Sequence, residues 1–137
     1  MDRFVKNFII ASIVYLALSS IIGVLMAINT DFQTLKFMHS HFMLLGWVSM
    51  MIYGVGYHIL PRFSGRLLKS KTIGELQFWL SNLGLIMLTV FYTMREYNPE
   101  AGLYTTLIAI GGFIEVLSII MFFYNMLATI LPKEEEF

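Results

Sequence analysis

At 137 residues the chain has the length of one domain, but 58% hydrophobic residues against 13% charged, with mean hydropathy +0.74, exclude an ordinary water-soluble one. A net charge of zero leaves no electrostatic footprint for nucleic acid. The absence of cysteine excludes disulfides, thiolate metal sites and the C-x-x-C-H attachment of c-type haem.

The apolar residues come in blocks over residues 8–28, 37–60, 76–94 and 103–131, each about long enough to cross ~30 Å of hydrocarbon as a helix. The expected fold is therefore all-α: an integral membrane bundle of four transmembrane helices forming one domain over 1–137. A soluble four-helix bundle would need a polar stripe on each helix, and the sequence shows none. The first block follows "MDRFVKN" and outlasts a signal-peptide core with no small-residue cleavage site behind it, so it reads as a retained span.

The short loops suggest an orientation. Arg62, Arg66, Lys69 and Lys71 crowd the second connection, and Arg3 and Lys6 precede the first span. The first connection sets Lys36 against Asp31, and the third sets Arg95 against Glu96 and Glu100. Positive residues mark the cytoplasmic side, so both termini and the second loop are expected there, in a multi-pass protein of the cytoplasmic membrane. The end "LPKEEEF" reads as a solvated tail.

The second span opens on "HSH". Residues two apart on an α-helix point about 200° away from one another, so His39 and His41 cannot chelate one ion within a chain. They suit two sites, one on either side of the helix. The alternative is that each ring bonds a backbone carbonyl or caps the helix entrance. His58 lies about 25 Å further along the axis and reads as an interfacial side chain.

In the later spans Glu115 is the single mid-membrane carboxylate. It is a candidate for proton relay or for hydrogen-bonding a cofactor ligand, the alternative being a protonated carboxyl bonded to backbone. Asn82 and the Ser19–Ser20 pair read as helix-packing residues. Met38, Met43 and Met50 read first as flexible packing. Gly46, Gly54 and Gly56 admit a close or flat neighbour, either another helix or a porphyrin.

The stretch "HSHFMLLGWVSMMIYGVGYHILPRFSG" resembles the tenth helix of the catalytic subunit of haem–copper oxidases and nitric oxide reductases. The likeness runs from His39 and His41 through the glycines to His58, Pro61, Phe63, Ser64 and Gly65, and it extends to small bacterial four-helix relatives with an H-x-H-x-x-L-L-G-W-V-S run. It implies that His39 matches the ligand of the high-spin haem and His41 that of the low-spin haem, with Gly46 and Met43 as candidate haem-packing positions. The cofactor implied is non-covalent haem b.

The family's subunit has about twelve helices, another haem histidine and three copper histidines, whereas this chain has three histidines in all. Copper or non-haem iron stays possible but unsupported, and oxygen or nitric oxide reduction by one copy is not supported. Three copies would restore twelve helices, so the expected partners are further copies of the chain, as a homotrimer first and a dimer second, together with the lipid bilayer and an unidentified electron donor. The functions in play are a bis-histidine electron-transfer cytochrome, a gas-binding or gas-reducing haem protein, and a non-haem transporter or structural membrane subunit.

Overall fold

The computed structural model describes residues 1–131; the acidic tail read from the sequence lies, over 132–137, outside the described residues. Among the described residues four helices are long and apolar enough to span a membrane: α1 (Arg3–Ile28), α2 (Thr30–Phe63), α3 (Lys71–Tyr97) and α4 (Gly102–Ile130). They begin earlier than the apolar blocks on α1, α2 and α3, because hydropathy marks only the hydrocarbon slab. A helix continues into the headgroup zone, where Arg3 and Lys71 are solvated.

The helices pack as two antiparallel hairpins, α1 with α2 and α3 with α4, the two pairings being equally extensive. Without water to drive apolar faces together, close approach and polar groups must do the work. The outward faces are apolar, with Ile10, Ile13, Ile21 and Val24 exposed on α1 and Phe113, Ile120, Phe123 and Leu127 on α4. The buried set includes Gln77, Ser81 and Thr89 on α3 and Glu115, Ser118, Asn125 and Thr129 on α4. These recur at steps of three or four residues, or sums of such steps, so α3 and α4 do carry a polar stripe. It faces inward, which corrects the expectation from sequence that no stripe exists.

An aromatic cluster ties the hairpins together. Phe8 is fully buried and meets Tyr53 and Phe78 edge-on, at centroid distances of 5.6 and 5.2 Å. Phe122 of α4 closes on Tyr53 at 4.7 Å and Tyr57 at 5.3 Å. The Tyr57 hydroxyl donates to Gln77 Oε1 at 2.6 Å, giving the buried phenol its partner.

Helix α2 is not uniform. It opens in 3-10 turns over Thr30–Leu35, is α-helical over Lys36–His41, widens to a π-helix over Phe42–Ser49 and returns to α over Met50–Phe63. It then stops at Gly65, whose φ of 66° lies in the left-handed region. The Arg66 N–H donates to Pro61 O at 2.9 Å and the Gly65 N–H to Arg62 O at 3.1 Å, the paired bonds that close a helix C-terminus. Gly65→Ala should therefore cost about 1 kcal/mol, the Cβ penalty in this region. A thermal melt in detergent measures it, and an unshifted melt would contradict the role.

Candidate functional site

The chain breaks at Asn29, which has extended backbone and ends α1. An antiparallel hairpin turning there sets residues equally far on either side opposite one another, and Ser19 and His39 are such a pair. His39 Nδ1 lies 2.9 Å from Ser19 O and 3.1 Å from Ser19 Oγ, while that hydroxyl donates to His39 O at 3.0 Å. The ring lies over Gly23, where a Cβ would come within 3.0 Å of His39 Cε1.

His41 turns to a different neighbour. Its Nδ1 is 2.9 Å from Phe37 O, one helical turn back. The imidazole stacks on Phe37 with centroids 3.9 Å apart, and Phe37 stacks in turn on Tyr92 of α3 at 3.7 Å, nearly parallel at 7°. The Arg95 guanidinium sits 4.8 Å from the Tyr92 ring centroid. An open cavity of about 430 Å³ adjoins this stack, lined by Gln33, Thr34, Lys36, Ser40, His41 and Glu96 among others.

The chemistry of the two rings follows from their partners. A carbonyl oxygen only accepts, so Nδ1 carries the proton in both His39 and His41, and the lone pair lies on Nε2. Both rings thus make the backbone-carbonyl bond that stood as the alternative to ligation, and the same tautomer is the one in which an imidazole ligates a metal through Nε2 while its other nitrogen is held by a carbonyl. His58 differs. Arg62 donates to its Nδ1 at 2.8 Å and also to its backbone carbonyl, which places the proton on Nε2.

The π-helical segment begins directly after His41. Bonding to the fifth residue adds residues to each turn, so the histidine end is rotated relative to Met50–Phe63. Such segments concentrate at functional sites. Ser49 Oγ donates to Leu44 O at 3.0 Å, five residues back, and supports the wider turn.

Gly46 and Met43, the candidate packing positions, lie in this π segment. The flat neighbour at Gly46 is the Tyr15 ring of α1. A Cβ at this position would lie 2.6 Å from Tyr15 Cγ, so this glycine faces a helix. Gly54 likewise meets Ile9 and Phe8 of α1. Met43 is half-buried.

Glu115 is 3% exposed at the α3–α4 contact, and among the described residues neither carboxyl oxygen has a hydrogen-bond partner. It bonds neither His39 nor His41; the atoms holding those rings are Ser19 and a backbone carbonyl of Phe37. Asn82 accepts from the Tyr15 hydroxyl at 3.0 Å and so joins α3 to α1. Among the described residues no three histidine, cysteine or acidic side chains gather as a metal cluster.

Ser19, Gly23 and the Phe37–Tyr92 stack are site residues that sequence reasoning missed. Ser19 could have been found by folding the first two spans about the loop at Asn29. Nothing in the sequence pairs Phe37 with Tyr92.

Comparison with known proteins gives a consistent picture. The chain matches the family described as cytochrome c and quinol oxidase polypeptide I over residues 3–136. It is 29% identical over 89 residues to the Cbb3-type cytochrome c oxidase subunit CcoN1 of Stutzerimonas stutzeri, covering 61% of this chain and 19% of that protein. It is 26% identical over 121 residues to the cytochrome c oxidase subunit 1 homolog of Agrobacterium tumefaciens (strain T37), covering 72% of this chain and 22% of that protein. The matches thus span about a fifth of the length of these curated relatives. No solved structure matches the chain.

Proposed function

The chain belongs to the family of cytochrome c and quinol oxidase polypeptide I, and we propose that it is a haem-binding membrane cytochrome whose axial ligands are His39 and His41. The observation that carries this reading is the shared tautomer: both Nδ1 atoms are committed to backbone carbonyls, at 2.9 Å each, which leaves both Nε2 atoms as donors to iron. The residues present fit a non-covalent b-type haem. Bound haem supplies one-electron redox chemistry.

The chain's own residues then have separate tasks. Ser19 and the Phe37 carbonyl orient the two imidazoles. Phe37 and Tyr92 offer a flat aromatic wall beside His41; Lys36 lines the same cavity together with Glu96, and Arg95 lies over Tyr92, the two cations being donors suited to carboxylate substituents. Glu115 stands apart from the ligands as a buried carboxyl able to hold a proton.

His39 faces α1 and His41 faces α3, so one chain offers two one-sided ligands. A ring of copies joined by the same head-to-tail contact would let His39 of one copy and His41 of the next complete one haem. We read the assembly as a homotrimer on that ground, with a dimer second, and the basic α2–α3 loop as cytoplasmic. The same one-sidedness favours a second reading. A haem held by one histidine keeps an open position and would bind a gas.

Absorption spectra of the purified protein, with a mass measurement of the detergent complex, test these readings. Six-coordinate spectra indifferent to carbon monoxide support electron transfer, and a carbon monoxide shift of the reduced Soret band supports gas binding. Protein that stays colourless after expression with ample haem would overturn both. Ser19→Ala should loosen haem at His39 by about ten-fold, the lower end for partners that orient a ligand. Haem titration of the apoprotein measures it, and unchanged affinity would remove the hydroxyl from this role.

A further inference from the structure

The loop between α2 and α3 is held more firmly than a connection needs. Asn125, fully buried on α4, accepts from the Ser70 N–H at 3.0 Å and donates to Ser70 O at 2.8 Å. Thr129, 2% exposed, accepts from the Lys69 N–H at 3.0 Å and donates to Asn125 O at 2.6 Å. Two buried polar side chains of a membrane helix therefore fix the backbone of residues 69 and 70.

What this clamp displays is amphipathic. Leu67 is 94% exposed and Phe63 85% exposed, far more than a loop stabilised by its own packing would leave open. Between the loop and the end of α4 lies a cavity of about 500 Å³, lined by Arg66, Leu67, Leu68, Lys69, Thr129 and Leu131 among others. Arg66 Nη1 donates to Ile130 O at 3.3 Å and to Leu131 O, which holds the guanidinium at this cavity with further N–H donors to spare. The ion pair nearby joins Lys71 to Asp2 at 3.0 Å and involves neither Arg66 nor Lys69.

We propose that this loop and the end of α4 form a binding site for an anionic phospholipid, its phosphate between Arg66 and Lys69 and its acyl chains along Phe63 and Leu67. Charge selects the head group, because a zwitterionic lipid carries its own cation to compete with the two basic side chains. Basic pockets between membrane helices recognise anionic lipids in this way. The apolar residues match the other half of the same molecule: Leu67 at the cavity and Phe63 at the end of α2 are left exposed and would gain burial against acyl chains. The site is independent of the histidine pair and of whether haem is bound.

The test uses the full chain, delipidated in detergent and then given phosphatidylglycerol or phosphatidylcholine. Phosphatidylglycerol should remain bound in native mass spectrometry and raise the melting temperature, while phosphatidylcholine does neither. Lys69→Gln and Arg66→Gln should each weaken phosphatidylglycerol retention by about five-fold, the factor equivalent to ~1 kcal/mol per basic residue at an anionic membrane. Lys69→Gln is the cleaner variant, since Arg66 also holds the end of α4. Equal retention of both lipids, or full retention by both variants, would overturn the proposal. If phosphatidylglycerol binds only after Glu134, Glu135 and Glu136 are all changed to glutamine, the chain's own carboxylates compete for the site and the proposal falls.

Discussion

His39→Ala and His41→Ala should each strip or convert haem, with a loss of affinity exceeding the roughly ten- to hundred-fold that even the residues orienting a metal ligand are worth. The two variants should not behave alike. Removing the His39 ring leaves Ser19 O and Oγ facing an opening above Gly23 on α1. Removing the His41 ring instead exposes one face of Phe37, whose other face still lies on Tyr92. Added imidazole should restore the low-spin spectrum in either variant if the only thing lost is a ligand. His58→Ala is the control, because its Nδ1 is occupied by Arg62 and its place on α2 is remote from the pair. Pyridine haemochrome content and the Soret position of each purified variant provide the measurement. Wild-type content and spectra in both histidine variants would refute the assignment.

The four spans were legible because a bilayer reads only length and hydropathy, and each helix supplies both. The histidine pair was legible because imidazoles are rare in such segments and their spacing fixes their directions. Other features lay outside any local pattern. The residues "FMLLGWVS" carry no mark of a π-helix; an apolar run with one glycine looks the same in either winding. Ser19 looked like packing until the turn at Asn29 set it against His39. The inward stripe of Gln77, Ser81 and Thr89 is diluted by the apolar residues that surround it in sequence and shows only when α4 lies against it. Gly46 admitted either a helix or a porphyrin, and only the packing of α1 decided between them. Each of these depends on which helix lies beside which, and composition does not encode that.

Gly84→Leu and Gly111→Leu should be the most damaging substitutions outside the histidine pair, because they strike where α3 and α4 meet backbone to backbone. A Cβ on Gly84 would lie 2.7 Å from Glu115 N and 3.0 Å from Glu115 Cα. One on Gly111 would lie 2.7 Å from Leu88 N and 3.2 Å from Gly84 O. These neighbours are main chain and cannot rotate away, so the helices must separate. Even alanine at either position should cost about 1–3 kcal/mol, as overpacking does in a filled core. Leucine should exceed that, since spreading the hairpin also turns Glu115, Ser118 and Asn125 toward lipid, where their polar atoms find no water. Gly112 supplies the control one residue on: a Cβ there meets only Leu88 Cδ1, at 3.8 Å, so Gly112→Ala should melt with the wild type. Helix content followed by circular dichroism during heating in detergent separates the cases. A Gly84→Leu protein melting with the wild type would mean that α3 and α4 are not held by this close approach.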